Sequence, residues 1–451
     1  MLRRIESRTA FAEAMAQRVR GETMNLDSKS LSTAASPPLL GVVFRAWSGT
    51  RWVETAVSGL DERALTGAVE GLESQLATGR SGSPPPGPSS TTVGSFSTPP
   101  RRSMRDLGTE GALTWVREVF GWVTADPVIK FGRVGLNWSE EERQYLNTAG
   151  ANCYQRLDRV HAGVVSVAME NGRSEFDVLI VGGLGGQETL EPITEARVRA
   201  SSEQARALLS SKAPPSGMMN VVLDPGTTGT FAHESFGHGT EADQFVRNRS
   251  YLQPLLGQTI GPESLTLVDD GSIPGAWGSI HFDDEGHPSQ RTPLVDHGTF
   301  VGALHDRGTA FALGASPTGN TRRSDFLGQA FVRMTNTLVE PGDWSFEELV
   351  REARDGVILE RWESGMEDPL GGQMQLKVRR GHRIENGKVT DLVSAMVLSG
   401  SVLQFLRDIR GIGKPETYET APGFCGKGYG DLLPVGDGGP YLLSRALVGP
   451  S

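Results

Sequence analysis

Two histidines and a glutamate in one short segment have the residue types of a hydrolytic metal site. The segment is TGTFAHESFGHGTEADQ, residues 228–244, in which His233 and His238 are five positions apart and Glu234 follows the first histidine. Neutral imidazoles are zinc ligands, and a carboxylate next to bound zinc can accept the proton of an attacking water. The segment therefore indicates a zinc site, with an accidental cluster as the alternative.

The spacing of the two histidines constrains the backbone that carries them. A regular helix turns about 100° per residue, so residues five apart are splayed by about 140° and cannot chelate one ion together. An extra residue accommodated as a π-bulge, or a break in the helix before His238, would bring both rings to one side. Gly237 and Gly239 flank His238, and glycine tolerates either distortion.

The chain has two cysteines, so it has no disulfide framework. Cys153 is interpreted as a small, partly buried apolar residue. Cys425 lies in APGFCGKGYG, which is too rich in glycine and proline for a helix or a central strand and is interpreted as a loop. A thiolate suits zinc, and a third protein ligand would leave one coordination position for water. Cys425 is thus the candidate third ligand, and Glu234 is the candidate base that activates a zinc-bound water.

Other polar clusters are given less specific interpretations. The acidic groups at 269–270 and 283–285 lack EF-hand spacing and are predicted to be solvated turns rather than calcium sites. Arg322 and Arg323, in TGNTRRSDF, lie in a predicted polar loop. They could bind the carboxylate of a substrate, and a solvated basic turn is the alternative.

The elements that must position these residues form two regions. Helical patterns cover 60–78, 110–125 and 193–212, and strand-like runs separate the last two. Thr228 or Thr230 is predicted to cap the helix that carries the histidines. Beyond a Pro/Gly boundary near 213–218, short strands alternate with turns. We therefore expect an α+β fold with an N-terminal α/β domain over 1–215 and a β-rich C-terminal domain over 216–451.

A Pro/Ser-rich segment and the overall composition complete the sequence-based expectations. Residues 79–102 are crowded with proline, serine and glycine and are predicted to be a mobile or extended connector. The formal net charge is −10, which argues against nucleic acid or an acidic membrane surface as the main partner. No apolar run is long enough to span a bilayer, and the N-terminus has no signal-peptide core, so a cytoplasmic location is expected.

Several motifs together resemble the TldD/PmbA family of metallopeptidases. They are LDPGTTGTFAHESFGHGTEAD, VDDGSIPGAWGSIHFDDEGHP, ASPTGNTRRSDF, VRMTNT, IENGKV and FCGKGYGDLLPVGDGGP, in this order over about residues 220–440. Catalytic TldD-type members of that family carry HExxxH, and their TldE/PmbA-type partners lack it. The resemblance therefore identifies the five-residue spacing as a family feature and the chain as similar to the catalytic type.

The resemblance implies zinc ligation by His233, His238 and Cys425 and a base role for Glu234. It also implies a dimer, either a homodimer or a heterodimer with a TldE/PmbA-like subunit, around a cavity in which short or unfolded peptides are cleaved. Two features depart from the family pattern: the sequence EDPLGGQMQLKV replaces a more glycine-rich stretch, and the connector is unusual. A dedicated amidohydrolase of natural-product biosynthesis is therefore one alternative, and a non-catalytic scaffold subunit is another.

Overall fold

A computed structural model describes residues 1–76, 85, 87–427 and 431–451 of the chain. The N-terminal half is built on one seven-stranded sheet whose neighbouring strands are antiparallel except for one parallel pair. Its strands are β1 Ala12–Asp27, β2 Leu31–Trp47, β3 Trp52–Ser58, β4 Val93–Thr98, β5 Ile129–Asn147, β6 Asn152–Glu170 and β7 Arg173–Leu184. The order is β3-β2-β1-β5-β6, and both β4 and β7 pair with the outer edge of β6.

Four α-helices in the described part of the N-terminal half accompany this sheet, and residues of all four lie in its apolar cores. They are α1 Leu2–Glu6, α2 Glu62–Gln75, α3 Met104–Thr124 and α4 Glu195–Leu208. Val116 and Val119 of α3 and Val198 of α4 pack in one core with Val134 and Val164 of the sheet. The three long helices confirm the three helical patterns in the sequence.

The C-terminal half contains two larger sheets and a short two-stranded one. The first has the order β11-β10-β9-β14-β21-β20, which leaves β20 at its edge. Its strands are β9 Leu267–Asp270, β10 Arg291–Asp296, β11 Thr299–Phe300, β14 Asn336–Val339, β20 Glu419–Lys427 and β21 Asp431–Gly439, and the short pair is β12 Thr321–Arg322 with β13 Phe331–Val332.

The other large sheet closes on itself. Its strands are β8 Gly217–Leu223, β15 Gly356–Asp368, β16 Gln373–Glu385, β17 Lys388–Val393, β18 Met396–Ser401, β19 Gly411–Ile412 and β22 Leu442–Pro450. The order is β15-β8-β22-β18-β16-β17, and β15 also pairs with β16, which closes the ring. The short helices of this half are α5 Pro225–Thr230, α6 Ala242–Val246, α7 Arg307–Leu313, α8 Phe346–Ala353 and α9 Val402–Arg407.

The mixed helix and strand content confirms the expected α+β fold, while the expected cap of the helix after β8 is wrong. The helix after β8 begins earlier than predicted and is capped by Asp224, whose side chain accepts the Thr227 amide at 2.8 Å. Thr230 does not cap it, because its hydroxyl donates to the Gly226 carbonyl. The cause is Pro225, which suits the first helical position and places the cap one residue before it.

The predicted connector at 79–102 is partly a regular strand. β4 pairs in parallel with the first half of β6, so this part of the connector is a built element of the N-terminal sheet. Residues 79–84 and 86 of the same prediction lie outside the described residues. The domain division at 215/216 stays a prediction. Across the described ranges, no helix is both long and apolar enough to cross a membrane.

Candidate metal centre

Three side chains predicted from the sequence converge at one point in the C-terminal half. The ligand atoms of His233, His238 and Cys425 all lie within 4.8 Å of one another. The Cys425 Sγ lies 3.3 Å from the His238 Nε2, and the two imidazole rings are nearly perpendicular, with centroids 5.2 Å apart. This set of two nitrogens and one sulfur is one that zinc prefers.

The backbone around the histidines has the irregularity that their spacing requires. Residues Phe231–Phe236 form a π-helix, and a 3-10 turn over Gly237–Thr240 follows it. The wider π turn accommodates the extra residue between the two histidines. Gly237 is needed at the junction, because a Cβ there would lie 2.3 Å from the Met334 sulfur. The π-bulge and the break in the helix, which the sequence offered as alternatives, are therefore both present, one after the other.

The third donor comes from an edge strand, and the interpretation of its segment as a loop is wrong. Cys425 lies in β20 and pairs with Leu433 of β21. Pro422 is tolerated in the same strand because β20 has no partner on its outer side within its sheet. The glycine-rich segment is part of the strand as far as residue 427, because each residue of 419–427 pairs with a residue of β21. Cys153, by contrast, is fully buried in the N-terminal half.

The electrostatics of the three donors favour ligation. Burial raises the pKa of Cys425, but the neighbouring imidazoles of His233 and His238 outweigh this effect and lower it to about 4. The thiolate is the form that binds a metal. Both ring nitrogens of His233 are buried and have no hydrogen-bond partner among the described residues. A buried imidazole without partners is costly, and a bound ion would satisfy one of its nitrogens.

A buried charge network holds the second histidine. The His238 Nδ1 lies 3.5 Å from Glu241 Oε2, which leaves its Nε2 facing the thiol. Lys427 donates to Glu241 at 2.9 Å and to Asp243 at 2.8 Å. Burial raises the pKa of Glu241, but Lys427 and His238 lower it to about 2, so the carboxylate is charged. Such an outer carboxylate fixes the tautomer of a metal-binding histidine.

Glu234 lies beside the donor set and is open to solvent. Its Oε2 is 3.7 Å from the His238 Nε2, and its side chain is 31% exposed. Gly365 of β15 permits this position, because a Cβ there would lie 2.7 Å from the Cβ of Glu234. The carboxylate therefore stands next to the donors and is reachable by water and substrate.

Two further carboxyl groups lie near the centre and were not predicted. Glu367 of β15 has its pKa raised to about 8 by burial, although His238 opposes this. Asp437 of β21 has its pKa raised to about 7, again by burial and against the effect of His233. Neither belongs to the HESFGH segment, and strand pairing alone brings them there. Glu367 lies in EDPLGG, the segment that departs from the family pattern, and Asp437 lies in the FCGKGYGDLLPVGDGGP motif, but neither residue was singled out.

Arg322 and Arg323 are buried, so their interpretation as a solvated basic turn is wrong. Arg323 is 1% exposed and forms a bidentate pair with Glu54 of β3, at 3.0 and 2.6 Å. Arg322 donates to the Met334 carbonyl at 2.8 Å. Met334 also packs against Gly237, which connects Arg322 to the donor segment through one residue. The two arginines do not contact the donor atoms themselves.

Of the acidic residues expected in solvated turns, Asp270 is partly exposed and accepts the Ser272 amide at 2.8 Å, whereas the others are buried. Asp269 is 1% exposed and accepts hydrogen bonds from Asn320 and Thr335. Residues 283–285 are likewise at most 4% exposed. Their oxygens accept hydrogen bonds from backbone amides, and Asp284 also pairs with Arg143, which the turn chemistry of the sequence alone did not reveal.

Comparison with known proteins identifies a family for the chain and a solved structure with the same fold. Residues 216–448 match the model of the PmbA/TldA metallopeptidase C-terminal domain. A metalloprotease of Methanothermobacter thermautotrophicus is 39% identical over 312 residues, which are 69% of this chain and 68% of that protein. A zinc metalloprotease TldD homolog of Saccharolobus solfataricus is 31% identical over 240 residues, 53% of each chain. The crystal structure of TldE from Thermococcus kodakarensis has the same fold, with a TM-score of 0.77 at 17% identity, covering 100% of this chain and 99% of that one.

The family model and these relatives thus identify a metallopeptidase, which is a hydrolase. The chain belongs to the PmbA/TldD metallopeptidase family.

Proposed function

We propose that the chain hydrolyses peptide or amide bonds in short or unfolded peptides with one zinc ion held by His233, His238 and Cys425. The observation that carries the proposal is the convergence of the three donors within 4.8 Å, with the Glu234 carboxylate 3.7 Å from one of them. The relative from Saccharolobus solfataricus is named a zinc metalloprotease, which supports the choice of ion. Zinc bound there would supply Lewis-acid polarisation of the scissile carbonyl and a lowered pKa for water.

Glu234 has the position of the general base. Its exposed carboxylate accepts the proton of the attacking water and then delivers it to the leaving nitrogen. Glu241 and Lys427 keep the His238 ring in one orientation, because their ion pair is largely buried, with side chains 1% and 13% exposed. In the described part of the chain β20 is an edge strand of its sheet.

The alternatives differ in what Glu234 and the substrate cleft must do. A dedicated natural-product amidohydrolase would use the same donors with a narrower cleft. The EDPLGG segment, which contains Glu367 and departs from the family pattern, motivates this alternative. A scaffold subunit would have no need of a base, so the intact Glu234 argues against it.

For assembly we propose a homodimer or a heterodimer with a TldE/PmbA-like subunit, and TldE is a structural neighbour. Light scattering alone and with such a subunit tests this, and a fully active monomer refutes it.

Glu234→Gln tests the mechanism. The amide keeps the shape but accepts no proton, so the variant should retain zinc and lose about 100-fold or more of its activity on quenched fluorescent peptides. Glu142→Gln is the matched control, because Glu142 is a partly exposed, ion-paired glutamate of β5. Undiminished turnover in the Glu234 variant would remove catalysis from this site. Cleavage of many peptides would favour the general peptidase over the dedicated enzyme.

A further inference from the structure

A polar cavity lies between the N-terminal sheet and the C-terminal half. Its volume is about 230 Å³. Arg143 of β5, Arg159 of β6 and Arg322 of β12 line one part of it, and Trp277 and Phe282 form an apolar part. The cavity therefore combines guanidinium groups with aromatic surface, and the donors of the metal centre are not among its lining residues.

Two of the three arginines are neutralised by carboxylates. Glu141 pairs with both Arg143 and Arg159, the latter at 3.0 Å, and Arg143 also pairs with Asp284. The other guanidinium nitrogens of Arg159 donate to backbone carbonyls at 3.1 and 3.3 Å. These four side chains form a satisfied ionic group and leave little capacity for a ligand.

Arg322 is the cation that remains. It is 5% exposed, and its Nη1 donates to the Met334 carbonyl. Among the described residues, no carboxylate lies within the 4.0 Å ion-pair distance of its guanidinium. Burial lowers the pKa of Arg322 to about 9, and Arg159 adds to this effect. An uncompensated buried charge is strongly unfavourable, and a small anion would remove that cost.

Two other carboxyl groups line the cavity, and both are engaged elsewhere. Asp283 accepts the Thr321 amide at 3.0 Å through Oδ2, and its Oδ1 accepts two further amides. Burial raises its pKa well above the ordinary value, which favours the neutral form. Asp325 accepts the amides of Leu327 and Gly328 at 2.7 and 3.0 Å. Neither one pairs with Arg322.

We propose that this cavity is a binding site for a small aromatic or aliphatic carboxylate. Its carboxylate would pair with the remaining donors of Arg322, since a guanidinium recognises a carboxylate through two parallel hydrogen bonds. The apolar part of the ligand would lie against Trp277 and Phe282. The proposal does not depend on zinc or on hydrolysis at the metal centre.

Calorimetric titration of the full chain with benzoate tests the proposal. We expect saturable binding of benzoate, no binding of benzyl alcohol, and weaker binding of inorganic phosphate, which lacks the apolar part. Arg322→Gln should weaken benzoate binding by about tenfold or more, and Arg322→Lys should retain part of it. Asp325→Asn should tighten it, because one negative charge leaves the lining. Arg361→Gln, at an exposed arginine of β15 outside this cavity, is the control.

A crystal of the unmodified chain soaked in 4-bromobenzoate gives a readout that no substitution can confound. The bromine anomalous peak should lie in the cavity near Trp277, with the carboxylate at Arg322. Absence of saturable benzoate binding, equal binding by the folded Arg322→Gln variant, or a bromine peak only elsewhere would each overturn the proposal. Preferential phosphate binding would overturn the assignment to carboxylates.

Discussion

Replacing Glu241 with glutamine should weaken zinc binding although Glu241 is not a ligand. Its carboxylate is 1% exposed and holds the Nδ1 side of His238, while Lys427 and Arg333 hold the carboxylate. The substitution Glu241→Gln keeps the shape and one oxygen but removes the charge that makes the imidazole a better electron donor. The defect should therefore appear in metal affinity before it appears in the fold.

The structure sets the expected size of this effect. Loss of an outer-shell partner typically lowers metal affinity 10- to 100-fold. The distance between Glu241 Oε2 and His238 Nδ1 is 3.5 Å, at the long limit of a hydrogen bond, so the loss is mainly electrostatic. We therefore expect the lower end of the range, about tenfold, which corresponds to about 1.4 kcal/mol of binding free energy.

Competition with a chromophoric chelator measures the zinc affinity directly. Asp243→Asn is the matched control, because Asp243 pairs with the same Lys427 at 2.8 Å. Among the described residues, Asp243 forms no ion pair with His238, unlike Glu241. We therefore expect its substitution to change the zinc affinity by no more than about twofold. Circular dichroism and thermal unfolding establish that each variant is folded. A folded Glu241→Gln protein with the zinc affinity of the unmodified chain would refute the role of the network.

Three further outcomes are expected. Gly237→Ala should lower the unfolding free energy by about 1–3 kcal/mol and weaken zinc binding, because its Cβ would lie 2.3 Å from the Met334 sulfur. Gly67→Ala in α2, where a Cβ meets open space, should not destabilise. The pKa of Glu141 is lowered from 4.5 to about 2, because two arginines outweigh the effect of burial. The Glu141 carboxylate therefore stabilises the fold above pH 4.5, and this stabilisation is lost as the pH falls towards 2. Denaturant titrations of Glu141→Gln should show a loss of about 3 kcal/mol at pH 7 and a flatter acid dependence, and an unchanged pH profile would contradict this. Removal of the metal with phenanthroline should abolish peptide hydrolysis, and added zinc should restore it; activity that survives complete removal would exclude zinc catalysis.

The part of the site that is local in sequence could be predicted. His233, Glu234 and His238 occupy one segment, and helix geometry alone shows that their spacing requires a distorted turn. Cys425 was identified because the chain offers only one other cysteine. These inferences depend on residue type and short-range geometry, which the sequence contains.

The groups brought in by strand pairing could not be predicted. Asp437 and Glu367 approach the centre from β21 and β15, and these strands also pair with β14 and β8, which are distant in sequence. Burial of charge was also missed at Arg322 and Asp283. Such residues are usually exposed, so a sequence interpretation favours solvated turns. Here arginines, carboxylates and amides compensate one another across the two halves, and only the folded chain shows this.

Zinc K-edge X-ray absorption of the purified chain tests the central claim most directly. We expect one zinc with one sulfur neighbour at about 2.3 Å and two nitrogen neighbours at about 2.0–2.1 Å. Cys425→Ser should remove the sulfur shell, and Cys153→Ser, at a fully buried cysteine in a different core cluster from Cys425, should retain it. A spectrum without sulfur in the unmodified chain, or a sulfur shell that survives Cys425→Ser, would contradict the metal centre described above.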